Sequence, residues 1–495
     1  MKASMQRRPG DRIFGIETEF GCLVQEESLR PEDAVELIKD HVFREMRMGA
    51  LDLHARDEVF EPAGSGGFLL NGARLYIDAV GSHLEYATAE CRDLDDVVAN
   101  DRAGQRIIVR AIKELGLQDQ VSIYNNSVDH FGGHTFGCHE NYLVTMTEDF
   151  FTRQVPALYA FLVTRQIYAG VGRVGGHVLY EGGRPDPRAM NENPIDFIWV
   201  SQVYHVMPDD EVDFQLSQRA DHIIRTVASR VRFNRALINP KWEHFYAHEG
   251  MQRLHVLFGE SNQNEFAYKL KIGTTLLALR LLEDNLIPRE LALANPLMAL
   301  RDVSRDPAYE WPVDLADGTT LGAVEIQRRH LELAERYRGS SADTDWTLDH
   351  WGKILDQLER DPMQLADKLD WVAKRQMVEA YRAETGVGPQ DDALHSVDLE
   401  YHNIDPDLSL FHGLQQDGAT ARVLTEGKIV EATVEPPANT RAKGRSQLVE
   451  RVMKRKRIAP YIFDWSGVVL GREEYVEMND PFETYEGLAA AAEVD

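Results

Sequence analysis

The first third of the chain alternates between polar and apolar residues over several short stretches. In "FGIETEFG", Glu17 and Glu19 occupy every second position, and in "NGARLYID" Arg74, Tyr76 and Asp78 do the same. Because successive side chains of a strand point to opposite faces, this alternation predicts strands with one apolar face and one polar face. The stretches that predict strands are residues 13–20, 68–78, 121–124 and 141–146.

Other stretches carry apolar residues three and four positions apart, which is the spacing typical of helices. They lie at residues 31–48, 94–115, 265–285 and 345–384. Pro362 predicts a helix start or break inside the last of these. Residues 396–404, "SVDLEYHNI", predict another strand, and after about residue 405 the chain becomes mixed and partly basic. The pattern predicts an α+β protein with a larger domain at 1–405 and a small C-terminal domain at 406–495.

Composition narrows the class of protein. A chain of 495 residues that is 43% hydrophobic can bury a large core. Its net charge of -27 repels phosphate backbones and argues against a nucleic-acid partner. Three scattered cysteines without a Cys-x-x-Cys pair argue against disulfides and zinc, and no apolar run approaches the length that crosses a bilayer. We therefore expect a soluble cytoplasmic protein without a membrane partner.

A glycine-rich stretch, "GVGRVGG" at residues 170–176, formally contains GxGxxG. A dinucleotide-binding fingerprint follows a strand and opens a helix, whereas this stretch follows a helix-like segment and precedes an extended one. We interpret it as a turn. The chain also lacks G-x-x-x-x-G-K-[ST], so any ATP site must use another architecture.

The polar faces of the predicted strands carry candidate chemistry. Glu17 and Glu19 would repel each other unless a cation or a base lay between them, and such oxygen ligands suit Mg²⁺. Further polar clusters follow at Glu85 and Glu90, in "GCHENY" and in "FQLSQRADHI". Each cluster alone is compatible with a solvated strand face, which is common in antiparallel sheets.

The spacing of Arg74 and Asp78 limits what their strand can do. Four residues of strand separate their Cα atoms by roughly 13 Å, which is too far for a salt bridge but suits an extended ligand. An arginine can hold phosphate charge at one end while a carboxylate accepts a proton at the other. This layout is typical of a ligation activated by phosphoryl transfer.

At these residues the chain resembles the Pup ligases and depupylases, a family of glutamine-synthetase-like carboxylate-amine ligases. The resemblance extends over most of the chain. The similar segments are "GIETEFG", "NGARLYID", "EYATAEC", "GCHENYL", "FLVTRQ", "LSQRADHI", "RLHVLFGESN", "KIGTT", "LDWVAKR" and "DLEYH". "GIETEFG", "EYATAEC" and the C-terminal "IFDWSGV" look more like the ligase branch, and a ligase of the related UBact modifier would look similar.

The resemblance implies a curved antiparallel β-sheet cradle packed by helices, with the small C-terminal domain contributing to a site for ATP and Mg²⁺. It implies Mg²⁺ ligands at Glu17, Tyr76 and Glu85, and a catalytic base at Asp78. It further implies nucleotide contacts from Arg74, Thr88 and Trp465. Further candidates within the similar polar segments or beside them are Glu19, His139, Glu140, Arg219, Lys241, Arg253 and His255.

The implied reaction joins the γ-carboxylate of the C-terminal glutamate of a small acidic Pup-like modifier to lysine side chains of target proteins through an acyl phosphate. One departure from the family lies in "NPKWEHFYAH", where Lys241 and Trp242 stand in place of an arginine and an aspartate. Lysine keeps the positive charge but loses the bidentate fork of arginine.

Three other readings stay open. The same cradle could remove or deamidate the modifier, or it could ligate small metabolites. A scaffold with a vestigial ATP site is a third reading, against which the intact Glu17, Arg74, Asp78 and Glu85 argue. A basic run at residues 441–457 predicts either a solvated helix face or a docking surface for the acidic modifier.

Overall fold

The structure is a computed structural model. It describes residues 10–25, 28–52, 65–78, 83–131, 133–146, 150, 154–179, 206–228, 235–241, 250–455, 461–470 and 474–491. In these ranges the strands are β1 (Phe14–Val24), β2 (Gly49–Leu51), β3 (Gly66–Leu69), β4 (Arg74–Ile77), β5 (Leu84–Ala87), β6 (Val121–Tyr124), β7 (Cys138–Thr145), β8 (Arg173–Leu179), β9 (Val206–Gln215), β10 (Arg225–Val227), β11 (Ala236–Lys241), β12 (Met251–Val256), β13 (Pro312–Asp314), β14 (Thr320–Gly322), β15 (Tyr461–Asp464), β16 (Gly467–Leu470) and β17 (Glu474–Glu477).

The helices of the described ranges lie mostly after the strands of the first half. They are α1 (Pro31–Arg44), α2 (Leu94–Glu114), α3 (Val155–Thr164), α4 (Gln166–Ala169), α5 (Glu265–Glu283), α6 (Pro296–Arg305), α7 (Ala323–Ala334), α8 (Ala342–Arg360), α9 (Asp370–Thr385), α10 (Asp392–Tyr401), α11 (Leu410–Gln416), α12 (Glu426–Ala432), α13 (Ala442–Met453) and α14 (Glu486–Ala491). None of the described helices is long and apolar enough to span a membrane.

One large sheet organises the described part of the chain. Its strand order is β10-β11-β12-β7-β1-β5-β4-β3-β2, and β6 pairs with the far end of β1. Neighbours are antiparallel except at the β10–β11 edge, which is parallel. The predicted α+β class and helix-packed sheet are therefore confirmed, and the antiparallel expectation is wrong for that edge pair.

The two faces of the sheet differ as the alternation predicts. In β1 the side chains of Phe14, Ile16, Thr18 and Phe20 are buried. The apolar side chains of β1, β4 and β5 form one core with residues of α1 and α2 near the Phe20 end. Phe14 and Ile16 of β1 belong to another core, which they form with residues of α3 and α5. The opposite, polar face is left to carry the chemistry, and we call it the cradle face.

Most predicted elements are confirmed with shifted ends. The stretch at 345–384 divides into α8 and α9, with a short 3-10 helix starting at Pro362, as that proline predicts. Residues 170–172 of the glycine-rich stretch form the short connection between α4 and β8, and Gly172 there has positive φ. Residues 173–176 belong to β8, where Gly175 lies at a β-bulge, so the prediction of a turn is wrong for them. The predicted strand at 68–78 is instead a hairpin of β3 and β4, because Gly72 adopts φ +80° and reverses the chain.

The predicted strand at residues 396–404 is wrong, because that segment belongs mainly to α10. Asp391 caps this helix by accepting a hydrogen bond from the backbone N–H of Ala393 at 2.9 Å. The buried residues Leu394, Asp398 and Tyr401 recur four and three positions apart. That periodicity places one helix face against the protein interior.

The C-terminal part contacts the sheet in two ways. Ile429 and Ala432 of α12 belong to the main apolar core. Leu448 of α13 and Phe463 of β15 pack instead against Phe68 of β3 in a separate apolar cluster. The division of the chain at residue 405 stays a prediction.

Candidate active site

Register across the sheet brings the predicted polar side chains together on the cradle face. Glu17 of β1 lies opposite His139 of β7, and Glu19 lies opposite Glu85 of β5. Glu85 is in turn opposite Tyr76 of β4. Cross-strand partners point to the same face, so these side chains form one continuous patch.

A first group of polar side chains surrounds Glu17. Its Oε1 accepts hydrogen bonds from Asn141 Nδ2 at 3.1 Å and Arg253 Nη1 at 3.3 Å. Asn141 Oδ1 also accepts from Arg253 Nη1 at 2.9 Å and lies 2.8 Å from His255 Nδ1. His139 Nδ1 lies 3.6 Å from Glu17 Oε2. Glu17, His139 and His255 each offer one ligand atom within 4.8 Å of the others.

The charge states of this first group suit ligand binding. Burial raises the pKa of Glu17, but the nearby His255, His139 and Arg253 outweigh it and hold that pKa well below the usual value. Burial lowers the pKa of His255 well below its usual value. Glu17 is therefore an anion at neutral pH, which is the state that a cation or a positively charged ligand group requires.

A second group contains three carboxylates. Glu19, Asp78 and Glu85 each bring one oxygen within 4.8 Å of the others. Burial raises the pKa of Glu85 well above its usual value, and repulsion by Asp78, Glu17 and Glu19 raises it further. His83 Nδ1 lies 3.0 Å from Glu19 Oε2. Burial raises the pKa of Glu19, but His83, His139 and the Gly137 backbone together outweigh it and lower that pKa to about 2. Such clustered oxygens fit a hard divalent cation, which would neutralise their repulsion.

Arg74 and Tyr76 lie beside the second group. The Arg74 guanidinium is buried and stands 4.6 Å from the centre of the Tyr76 ring. Burial raises the pKa of Tyr76 well above its usual value, and Glu85 and Glu17 raise it further. Tyr76 is therefore a neutral phenol and a weaker ligand than its carboxylate neighbours. Gly66 faces it, where a Cβ would come 2.1 Å from Tyr76 Cβ.

An open pocket adjoins the first group at the start of β1. It encloses about 710 Å³ of atom-free space, counting the solvent at its mouth. Gly15, Glu17, Thr88, Arg253 and Trp465 are among its lining residues. Thr88 Oγ1 accepts the backbone N–H of Ile16 at 3.0 Å, so its own hydroxyl hydrogen is available to a ligand. The Trp465 ring packs edge-on against Phe68 with ring centres 4.9 Å apart.

Three further candidates need separate placement. Glu140 lies opposite Ile16, on the core face, where its carboxylate pairs with Arg165 at 2.6 Å. We therefore remove Glu140 from the candidate site, because it is a buried structural anion. Arg219 is buried near Glu19, and its Nη1 donates to the carbonyl of Phe136 at 2.8 Å. Lys241 ends β11 opposite Arg253, and Trp242 lies outside the described residues.

The sequence motifs did not identify two residues, Asn141 and His83, whose side chains contact the candidate site residues. Asn141 joins Glu17, Arg253 and His255, and His83 fixes Glu19. The signal for Asn141 was its position two residues after His139 on a strand, which places both side chains on one face. His83 lies in a connection, where no periodicity indicates direction.

The cradle face thus combines two groups of side chains that could each hold a metal ion with an adjoining open pocket. This arrangement defines a class of site suited to chemistry on a metal-bound nucleoside phosphate. The chain belongs to the Pup ligase family. The sequence model of that family, described as Pup-ligase protein, matches residues 12–469.

Curated relatives agree along the whole chain. A Pup–protein ligase of Acidimicrobium ferrooxidans is 35% identical over 484 residues, covering 95% of this chain and 96% of the relative. A Pup–protein ligase of Xylanimonas cellulosilytica is 36% identical over 489 residues, covering 95% and 96%. The predicted family and its ligase branch are therefore confirmed.

Two solved structures share the fold. The Pup ligase PafA in complex with the prokaryotic ubiquitin-like protein Pup has a TM-score of 0.78 and 29% identity, with 98% of this chain and 91% of that chain covered. PafA in complex with ADP has a TM-score of 0.72 and 30% identity, covering 94% and 95%.

Proposed function

We propose that this protein is an ATP-dependent ligase that joins the γ-carboxylate of the C-terminal glutamate of Pup to lysine side chains of target proteins. The observation that carries the proposal is the placement of Asp78 beside Glu19 and Glu85, on the same sheet face as Arg74 and as Glu17, which lines the pocket. The names of the relatives favour Pup over UBact as the modifier.

The order of side chains along β1 indicates in which direction the proposed nucleotide would lie. Residues from Ile13 to Glu17 line the pocket, and Glu19 lies two residues further along the strand. An ATP whose base packs near Trp465 and Thr88 would therefore direct its phosphates toward Glu19, Asp78 and Glu85. Arg74, on the same face, supplies positive charge to the transferred phosphoryl group.

We assign the cation-binding role to the two clusters. Glu17, Tyr76 and Glu85 would hold Mg²⁺ as the family resemblance implies, and the neighbouring Glu19, His139 and His255 would offer further ligand atoms. Bound Mg²⁺ would neutralise the negative charge that develops on the phosphoryl group. The donor chemistry fits, because the carboxylates of the second cluster otherwise repel one another.

The proposed reaction has two steps. A γ-carboxylate oxygen of the modifier attacks the γ-phosphorus of ATP, ADP leaves, and an acyl phosphate of the modifier forms. The lysine nitrogen then attacks the acyl carbon and inorganic phosphate leaves, while Asp78 takes the proton that the amine loses. Arg253 and Lys241, neighbours across β12 and β11, provide positive charge on the Glu17 side of the face.

The reaction is expected to take place in the cytoplasm. All three cysteines, Cys22, Cys91 and Cys138, are free thiols. Free thiols without disulfides are typical of a reducing compartment.

Purified protein, ATP, Mg²⁺, glutamate-ended Pup and a lysine-bearing acceptor should give a conjugate that shifts on a denaturing gel. Replacing the base with D78N should lower the rate by at least ~100-fold, because general-base catalysis contributes about that much. ADP affinity should stay within about threefold, since Asp78 does not line the pocket. D349N is the matched control: Asp349 is exposed, pairs with Arg338 and should leave the rate unchanged.

The same preparation separates the rival reactions. A preformed conjugate is supplied, and its loss is followed with and without ATP. Faster cleavage than conjugation at equal enzyme concentration would contradict the ligase assignment in favour of a depupylase. A D78N variant that ligates at the wild-type rate would contradict the role of Asp78.

A further inference from the structure

A buried ion cluster joins the sheet to the C-terminal helix α13. Glu90, three residues after β5, is almost completely buried. Its Oε1 accepts hydrogen bonds from Arg441 Nε at 2.7 Å and Arg445 Nη1 at 3.0 Å, and its Oε2 pairs with Arg445 Nη2. The Glu90 backbone carbonyl also accepts the Thr440 hydroxyl at 2.9 Å. One acidic residue of the sheet region therefore holds two arginines of the C-terminal segment, and we call these three residues the Glu90 clamp.

The clamp accounts for part of the basic run at 441–457. Arg441 and Arg445 are buried and neutralised by Glu90, so they are neither a solvated helix face nor an open docking surface. Lys456 and Arg457 lie outside the described residues.

Arg445 extends the clamp to the pocket. Its Nη1 donates to the backbone carbonyl of Trp465 at 3.1 Å, and its Nη2 donates to the carbonyl of Gly72 at 3.2 Å. Its guanidinium lies 4.9 Å from the centre of the Trp465 ring and 4.6 Å from that of Phe68. Because a planar guanidinium stacks on rings while its N–H groups bind carbonyls, Arg445 fixes both the backbone and the ring of Trp465.

The clamp and the pocket are contiguous. Glu90, Arg441 and Trp465 line the pocket together with Thr88, which precedes Glu90 by two residues. A side chain that packs against a ligand contributes more affinity when its conformation is fixed before binding, because binding then loses less conformational entropy. Loss of the Glu90 charge would leave Arg445 without its anion and Trp465 without its support.

We propose that Glu90 and Arg445 are positioning residues that hold Trp465 in place for the nucleotide, so that nucleotide affinity depends on the C-terminal segment staying attached at Glu90. The inference rests on the proposed function, because it assigns the pocket to ATP. Glu90 acts through Arg445 on Trp465, so its replacement should weaken nucleotide binding more than it slows the chemical step.

The test measures ADP affinity and ligation kinetics of the full chain with E90Q and R445K. Each variant should raise the Kd for ADP and the KM for ATP about tenfold, equivalent to ~1.4 kcal/mol, while kcat at saturating ATP stays within about twofold. ADP binding should change the fluorescence of wild-type protein but not that of W465F, which assigns the signal to Trp465. This change should shrink in E90Q and R445K.

A double-mutant comparison distinguishes positioning from general destabilisation. If Glu90 acts through Trp465, E90Q combined with W465F should bind ADP no more weakly than W465F alone. Additive losses would overturn the proposal. R445K, which keeps the positive charge, decides the question if E90Q does not fold. ADP affinity and fluorescence equal to wild type in R445K would likewise overturn it.

E426Q is the matched control. Glu426 also connects the C-terminal segment to the rest of the chain, through Arg106 at 2.5 and 2.9 Å, but it is half exposed and does not line the pocket. The E426Q variant should leave the ADP affinity unchanged. A tenfold loss of ADP affinity in E426Q would contradict the special role of Glu90. Wild-type protein that neither binds ADP nor ligates would instead refute the proposed function. Wild-type binding with unaffected variants would refute only the positioning role.

Discussion

Gly137 shows how closely the side chains of the cradle face approach the backbone. A Cβ at this position would lie 2.5 Å from His139 Nε2 and 2.6 Å from Glu19 Oε1. The Gly137 carbonyl also accepts the backbone N–H of Glu19, at 2.8 Å. Glu19 and His139, one side chain from each of the two groups on the cradle face, therefore occupy the space that a larger residue would fill.

We expect G137A to slow ligation at least ~10-fold. The Tm should change by less than about 4 °C, because a loss of ~1 kcal/mol lowers the Tm of a chain this large by no more than that. The added methyl group meets the ends of two flexible side chains, which can move aside without disturbing the backbone. The fold therefore survives, but Glu19 and His139 are displaced. Ligation rates over a Mg²⁺ titration and a thermal unfolding curve measure the two effects.

G413A is the control for this prediction, because nothing lies within 4 Å of a Cβ at that position in α11. It should keep the wild-type rate. A G137A variant as fast as G413A at every Mg²⁺ concentration would show that Glu19 and His139 need no exact placement.

Sequence alternation identified the cradle side chains only where polar and apolar residues truly alternate. Alternation places Glu17 and Glu19 on the correct face of β1, because Ile16 and Phe20 mark the core face of that strand. In "GCHENY" His139, Glu140 and Asn141 are all polar, so alternation could not distinguish the faces. The pairing of β7 with β1 determines which side chains face the core, and it places Glu140 beside Arg165 and away from the candidate site.

Segment 396–404 shows that alternation can also predict the wrong type of secondary-structure element. Val397, Leu399 and Tyr401 alternate with polar residues, which is the pattern of a strand. The helix forms instead because Asp391 caps it from outside that window and because the buried Asp398 meets Lys374 Nζ at 2.6 Å. A buried ion pair between two helices leaves no trace in local hydrophobic periodicity.

Helix α2 and strand β5 pack together at a position that requires glycine. A Cβ at Gly104 would lie 2.6 Å from Tyr86 Cδ1 and Cε1. The Tyr86 ring cannot retreat, because its hydroxyl accepts from Asn71 at 2.9 Å and donates to Asn100 at 3.1 Å. Helix and strand therefore approach each other at a distance that only a hydrogen at position 104 permits.

We expect G104V to lower the free energy of unfolding by ~2–3 kcal/mol, because overpacking a rigid core contact typically costs about that much. Denaturant unfolding followed by circular dichroism measures it. G352A, also inside a helix, meets only Leu331 Cδ2 at 3.5 Å and should be neutral or slightly stabilising. Equal stabilities for the two variants would mean that α2 can shift away from β5 without cost.

At the scale of the whole molecule, the C-terminal segment is attached to the sheet by contacts between residues far apart in sequence. Glu90 and Arg445 are separated by 355 positions, and Phe68 meets Trp465 across a similar distance. No local pattern predicts such pairs, and the motif resemblance indicated only that Trp465 reaches the nucleotide. The basic run was ambiguous because a buried arginine and a solvated one look alike in sequence.

The Glu90 clamp makes attachment of the C-terminal segment dependent on pH. Burial raises the pKa of Glu90, but Arg445 and Arg441 outweigh it and lower that pKa from 4.5 to about 2. Because the folded protein holds the carboxylate more strongly as an anion, its stabilising contribution is complete above pH 4.5 and is lost as the pH falls toward 2. The shift corresponds to ~3 kcal/mol at neutral pH.

We therefore expect the difference in unfolding free energy between wild type and E90Q to be largest at pH 7 and to fall by more than half by pH 3. The glutamine variant has no proton to gain at this position, so it loses less stability on acidification than the wild type does. Urea unfolding of both proteins at pH 7, 5, 4 and 3 measures the difference. A difference that stays constant across this range would mean that Glu90 stabilises the fold through packing and neutral hydrogen bonds, and that its charge contributes nothing to holding α13 against the sheet.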